Sequence, residues 1–190
     1  MSIFASPLSI AEVLLLRPNK FVDHRGFFVE TYNLRDYKTL GIHCQFVQDN
    51  FSVSENAGTI RGLHFQRPPH SQAKLVRVQR GAIFDVAVDL RRGSPTFARW
   101  CAATVTADGG EQIFIPRGFA HAFVTLEPGT EVVYKADEYY DPDCEAGVIW
   151  NDPDIAIDWP EAAREPILSE KDSKLPRLAE LETLFTFRAT

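Results

Sequence analysis

Short β-rich runs, each closed by a turn, recur about every ten residues along this chain, and that rhythm constrains the fold more than any other feature. The runs are Glu12–Leu16, Phe27–Tyr32, Gln45–Val53, Lys74–Val78, Ala82–Leu90, Ala98–Thr106, Gln112–Ile115, Ala122–Leu126 and Glu131–Lys135. Between them stand Arg25-Gly26, Asn56-Ala57-Gly58, Arg92-Gly93-Ser94-Pro95, Asp108-Gly109-Gly110 and Glu127-Pro128-Gly129. Glycine and proline in such clusters punctuate strands, because one permits positive φ and the other fixes φ. Many short strands at this spacing imply an all-β antiparallel sandwich or barrel. Helical signals are few. Leu34–Leu40 suits a short helix, and Pro176 followed by Leu178, Leu181 and Leu184 suggests another near the C-terminus.

With 190 residues, the chain is expected to form one domain over 1–190. About 1–160 would hold the barrel with its N-terminal strands, and 161–190, after Trp159-Pro160, a C-terminal extension. A net charge of -6 argues against sequence-independent nucleic-acid binding, which runs on basic contacts to phosphates. Cys44, Cys101 and Cys144 are odd in number and widely spaced, as reduced thiols in a cytosol would be. No run approaches the roughly 20 apolar residues of a membrane helix, and the N-terminus lacks the pattern of a signal peptide. A soluble, cytoplasmic protein is expected.

Several segments can carry chemistry. Arg61-Gly62-Leu63-His64-Phe65-Gln66 places two cation-capable groups beside a glycine, on what should be a strand edge. Strand alternation would put Arg61 and Leu63 on one face and Gly62 and His64 on the other. The glycine would then leave room for a ligand; the alternative is a histidine satisfied in a polar part of the core. Phe84, Val86, Val88 and Leu90 alternate with Asp85, Ala87 and Asp89, so the carboxylates mark either a solvated face or the interior of a ligand cavity. Tyr134 sits on an alternating strand, and Tyr139-Tyr140 precede Asp141-Pro142, where an exposed ring could stack on a base. Pro116-Arg117-Gly118-Phe119-Ala120-His121 resembles the second motif of the cupins, jelly-roll barrels that often bind metal. The first cupin motif would place a glutamate seven residues before Gly81. Lys74 stands there instead, and Gln66 replaces the second of two paired histidines. An ammonium repels a divalent cation, so no metal and no cofactor are expected.

Together these residues resemble the dTDP-4-dehydrorhamnose 3,5-epimerase family, from about Pro18 to Asp172. The carrying segments are Asp23 to Glu30, Gln48-Asp49-Asn50, Arg61 to Gln66, Gln72 to Val76, Asp85 to Arg91, Gly93 to Phe97, Pro116 to His121, Tyr134, Tyr140-Asp141-Pro142 and Trp150 to Asp154. The resemblance implies a cupin-type antiparallel jelly-roll barrel with a few short peripheral helices, working without metal as a homodimer with exchanged N-terminal strands. It also implies a dTDP-linked 4-keto-6-deoxy sugar as partner, epimerised at C3 and C5 on the route to dTDP-L-rhamnose. Both carbons flank the 4-keto group, so a base can remove either proton and leave an enolate. By this resemblance His64 is the base, Asp172 its orienting carboxylate, Tyr134 the acid and Lys74 the cation at the enolate oxygen. Arg25, Glu30, Gln48, Asn50, Arg61, Lys74, His121, Glu145 and Lys171 fall on binding positions, and Tyr140 on the position that stacks on thymine. Ala122 departs from the family's usual glycine and would add a methyl near the sugar pocket. A monofunctional 3- or 5-epimerase, or a non-catalytic sugar-nucleotide-binding module, is the alternative reading.

Overall fold

In the computed structural model, which describes residues 3–182 and 185–187, the strands gather into two facing antiparallel sheets. The first holds β1 (Ile3–Pro7), β2 (Leu14–Pro18), β5 (Gln48–Ser54), β7 (Lys74–Arg80), β11 (Gln112–Ile115) and β13 (Thr130–Ala136), in the order β1-β2-β11-β7-β13-β5. The second holds β6 (Ile60–Gln66), β8 (Ala82–Asp89), β10 (Trp100–Thr106), β12 (Phe119–Thr125) and β14 (Glu145–Gly147), in the order β10-β8-β12-β6-β14. A hairpin of β3 (Lys20–Asp23) and β4 (Gly26–Val29) stands apart. β9 (Arg91–Arg92) and β15 (Phe185–Thr186) form a small parallel pair. The result is a jelly roll of two facing sheets that do not close into a continuous barrel.

Alternation decides what each face meets. Val76, Val78, Ile113, Ile115 and Val132 of the first sheet pack against Ile83, Ala87, Cys101, Val105, Phe119 and Phe123 of the second. Each side chain of this kind, fully buried, contributes about 1.5–3 kcal/mol. The outer face of the first sheet, with Leu16, Leu75 and Phe114, is covered by Tyr37 and Ile42. Tyr37 belongs to α1 (Leu34–Thr39), whose N-cap Asn33 accepts a hydrogen bond from the Arg35 N–H. The outer face of the second sheet carries Leu63, Val86, Val88, Leu90, Ala120 and Ala122, and the C-terminal segment covers it with Ile155, Leu178 and Phe185.

Several expectations shift. The strand expected over Phe27–Tyr32 ends at Val29 and belongs to the hairpin, while Ile60–Gln66 is an interior strand between β12 and β14. The C-terminal helix reduces to a 3₁₀ turn at Leu178–Glu180, and Leu184 lies outside the described residues. The solvated face proposed for Asp85 and Asp89 does not exist, because the second sheet is covered on both sides and both aspartates are fully buried. Asp89 accepts hydrogen bonds from Arg91, Ser94 and Thr96 and so organises the turn after β8.

The largest correction is local. Between His121 and Phe123 the β6–β12 register slips, so that His121 faces His64 and Phe123 faces Arg61. Three steps along β6 match two along β12, which is a β-bulge. Arg61 and His64 therefore point into the same cavity, against simple alternation. Gly62 sits at the slip with φ 128°. A Cβ there would come within 2.4 Å of Ala122 Cβ and 2.6 Å of the His121 carbonyl oxygen. The glycine makes room for the neighbouring strand and not for a ligand.

Candidate active site

A cavity of about 470 Å³ is lined from both sheets and from the C-terminal segment. His64, His121 and Arg61 come from the second sheet, Lys74 and Tyr134 from the first, and Lys171 and Asp172 from the tail. All seven were candidates on sequence. Some lie far apart in sequence, His64 and Asp172 by 108 residues, and only the folding of the sheets and the tail unites them.

His64 Nε2 lies 2.7 Å from Asp172 Oδ1. A carboxylate only accepts, so this contact places the ring proton on Nε2 and leaves Nδ1 with its lone pair. Asp172 is buried on a 3₁₀ turn (Asp172–Lys174). Its Oδ2 accepts from the Gly62 N–H at 3.3 Å, and its own N–H donates to Ser169 Oγ at 3.0 Å. Burial pushes the Asp172 carboxyl upward, but the hydrogen bonds from His64 and Gly62 prevail and hold it below the ordinary aspartate value.

Lys74 and Tyr134 occupy the wall opposite His64. Lys74 Nζ is 5.7 Å from the centre of the Tyr134 ring. Burial draws the lysine down to about 8, against the pull of Asp85 and Glu145, which favour the ammonium. Burial likewise raises the Tyr134 phenol, while nearby Arg61 lowers it. A phenol so raised keeps its proton and can donate it.

The remaining candidates divide. Tyr140 and Glu145 meet beside the cavity, the Tyr140 hydroxyl donating to Glu145 Oε2 at 2.9 Å, and Lys171 Nζ reaches the same oxygen at 2.5 Å. Burial raises Glu145, and Lys171 and Tyr140 more than offset that, so its carboxyl is lowered. Gln48 accepts from the Tyr140 N–H, and its amide donates to Asn50, whose own Nδ2 is buried without a partner among the described residues. Gln66 accepts from the Asp141 N–H and donates to the Tyr139 carbonyl, so it fixes the loop that presents Tyr140. Arg25 and Glu30 are not in the cavity. Arg25 pairs with Asp23 at the tip of the exposed hairpin, and Glu30 accepts from Asn33.

Ser52, Thr59, Phe123, Ile167 and Ser169 also line the cavity and had not been singled out. Ser52 and Phe123 follow Asn50 and His121 by two residues, so the strand period alone places them on the same faces. The tail residues carry no such signal. Ala122 faces away from the cavity, into the apolar layer between the second sheet and the tail, and the methyl expected near the sugar is therefore not there. Among the described residues no three His, Cys, Asp or Glu side chains gather as a metal site. The three cysteines are free, and no described helix is long and apolar enough to cross a membrane.

The family model described as dTDP-4-dehydrorhamnose 3,5-epimerase matches residues 7–180. A dTDP-4-dehydrorhamnose 3,5-epimerase of Sinorhizobium fredii is 47% identical over 180 residues, covering 95% of this chain and 92% of that one. The crystal structure of dTDP-6-deoxy-D-glucose-3,5-epimerase from Legionella pneumophila, in complex with dTDP-4-keto-L-rhamnose, superimposes with a TM-score of 0.94 at 40% identity. It covers 98% of this chain and 100% of that one. The Bacillus anthracis dTDP-4-dehydrorhamnose 3,5-epimerase with TDP and PPi bound gives a TM-score of 0.89 at 51% identity, covering 92% and 99%. On sequence and on fold alike, the chain belongs to the dTDP-4-dehydrorhamnose 3,5-epimerase family.

Proposed function

We propose that the chain epimerises dTDP-4-dehydro-6-deoxy-D-glucose at C3 and C5, giving dTDP-4-dehydro-L-rhamnose for dTDP-L-rhamnose synthesis, with His64 as base and Tyr134 as acid. The observation that carries the reading is their placement on opposite walls, since inversion needs removal of a proton from one face and its return to the other. His64 takes the proton at Nδ1, and the Asp172 carboxylate stabilises the imidazolium. Lys74, beside Tyr134, balances the charge that develops on the 4-oxygen. Tyr134 then delivers its proton to the opposite face of the carbon.

The nucleotide has its own groups. Arg61, whose guanidinium is already braced on the Val53 carbonyl and Ser54 Oγ, suits the diphosphate. Lys171 extends that positive edge. Tyr140, exposed and held at its hydroxyl by Glu145, is the ring that stacks on thymine, with Gln48 and Asn50 alongside. His121 binds the sugar. All these groups belong to one domain over 1–190, the C-terminal extension supplying Asp172 and Lys171.

Arg25 and Glu30 serve the site of a second copy in this reading. Their hairpin exposes Phe21, Val22, Phe27 and Phe28, and β5, the edge of the first sheet, exposes Phe51 and Val53. Apolar side chains displayed in such number favour a homodimer in which N-terminal strands cross to the partner. A cytoplasmic setting fits the three unpaired thiols.

Proton NMR with dTDP-4-dehydro-6-deoxy-D-glucose in heavy water tests the reaction. Deuterium is expected at both C3 and C5, and the exchange is expected to vanish in His64→Ala, a loss of about 10⁴-fold. Exchange at one carbon would make the protein a monofunctional relative. Binding of dTDP without exchange would make it a sugar-nucleotide-binding module.

A further inference from the structure

A carboxylate that is not part of the cavity wall backs two residues that are. Asp85 projects from β8 on the same face as Ile83 and Ala87 of the inter-sheet core, and it is fully buried. Its Oδ2 lies 2.9 Å from His121 Nε2, and Lys74 is within electrostatic reach. Its Oδ1 has no hydrogen-bond partner among the described residues. Such a group is harder to bury than a valine or leucine of similar size, because its charge must leave water. Packing alone does not account for it.

We infer that Asp85 is a positioning residue for epimerisation: its carboxylate fixes the His121 ring with the proton on Nε2 and holds Lys74 in the ammonium form, without touching the sugar. This rests on the reading of Lys74 as the cation at the enolate oxygen. A carboxylate accepts and does not donate, so the ring turns an Nε2–H toward Asp85, and in that tautomer Nδ1 is the acceptor for a substrate hydroxyl. The lysine is the more sensitive of the two. Around it stand Asp85 on β8, Glu145 on β14 and Tyr134 on β13, with His64 and His121 also lining the cavity. Its ladder partners Ile115 and Ala136 carry no charge. Burial brings Lys74 to about 8, and Asp85 is the stronger of the two carboxylates that oppose further loss. Without that charge the ammonium deprotonates at lower pH, so the alkaline limb of the rate profile moves down.

The test compares Asp85→Asn with the wild-type enzyme by the pH dependence of kcat and of KM. Asparagine keeps the shape and an acceptor for His121 but removes the charge. At pH 8 kcat is expected to fall about fivefold, with the alkaline limb about one pH unit lower and KM little changed. A profile that superimposes on the wild type, whatever the loss of stability, overturns the inference. Ring ¹⁵N shifts of histidines in the unsubstituted protein provide a second arm that does not depend on the variant folding. His121, assigned by its absence in His121→Gln, is expected to hold the Nε2–H tautomer, and an Nδ1–H tautomer overturns the assignment. Wild-type protein that exchanges neither sugar proton overturns the reading on which this rests, and this inference with it.

Discussion

His64 and His121 face each other across the β6–β12 ladder, and each ring bonds a carboxylate, at 2.7 Å and 2.9 Å respectively. The settings of the two pairs differ. His121 and Asp85 project from adjacent strands, with side chains 7% and 0% exposed. His64 is 29% exposed, and its carboxylate arrives from the far end of the chain on a single 3₁₀ turn. A pair this buried holds a fixed geometry, and its ring, though it lines the cavity, suits binding a substrate hydroxyl better than passing a proton to water. A ring open to the cavity can take a proton from a sugar carbon and return it to water. In the proposed reaction the same two residue types bind the sugar in one place and act as base in the other, and exposure separates the roles.

The comparison breaks most visibly at Asp172. Asp172→Asn keeps an acceptor near His64 but loses the charge that stabilises the imidazolium, so kcat is expected to fall about 10³-fold, or about 4 kcal/mol of barrier. Equal losses in Asp172→Asn and Asp85→Asn would erase the distinction between the pairs. Asp172 also leaves a mark on stability. Its carboxyl is lowered in the folded protein, so its contribution is complete above the unfolded value of about 3.9 and is lost as pH falls through the folded one. Thermal unfolding of Asp172→Asn should therefore show a shallower acid limb than the wild type.

How much of this was readable beforehand follows from which contacts are local. Alternation over Ala82–Leu90 and Lys74–Val78 announced strands that the structure contains as β7 and β8, and the Leu34–Leu40 signal became α1. Period-2 reading gave each strand its two faces, but it could not say what covered the second one. Alternation consequently leaves Asp85 either to solvent or to a ligand cavity, whereas it lies behind the cavity wall. The tail escaped for another reason. Residues 167–172 have no periodicity, and they are held by backbone bonds such as Ile60 N–H to the Ile167 carbonyl, which no side-chain pattern encodes. Family resemblance alone points from the sequence to Asp172 as the partner of His64. Arg25 and Glu30 came from the same source, and the chain by itself leaves them outside the cavity.

The bulge between the two histidines offers a smaller perturbation that affects both. Gly62→Ala would drive a Cβ into Ala122 and the His121 carbonyl oxygen, at a φ that L-residues avoid. Both obstacles belong to strand β12, which cannot yield without moving His121, and the Gly62 N–H also serves Asp172. A cost of about 3 kcal/mol is expected from overpacking and backbone strain together, read by denaturant unfolding. A loss well under 1 kcal/mol would mean that the slip is soft and does not set the facing of His64 and His121.

The gentlest change is Ala122→Gly, which restores the residue the family resemblance led us to expect. The Ala122 side chain is fully buried, packed with Leu63, Val86 and Val148 on the side of the sheet away from the cavity. Removing it forfeits about 0.8 kcal/mol of methyl burial, and the added backbone freedom costs about 0.5–1 kcal/mol more. A destabilisation of about 1.5 kcal/mol is therefore expected. The ratio of deuterium incorporation at C3 and C5 should stay as in the wild type, because neither His121 nor Phe123 loses a contact inside the cavity. A changed ratio would mean that the apolar layer beneath β12 tilts the His121 wall. The sealed pair would then be less rigid than its burial implies, and residue 122 would select between the two carbons from outside the site.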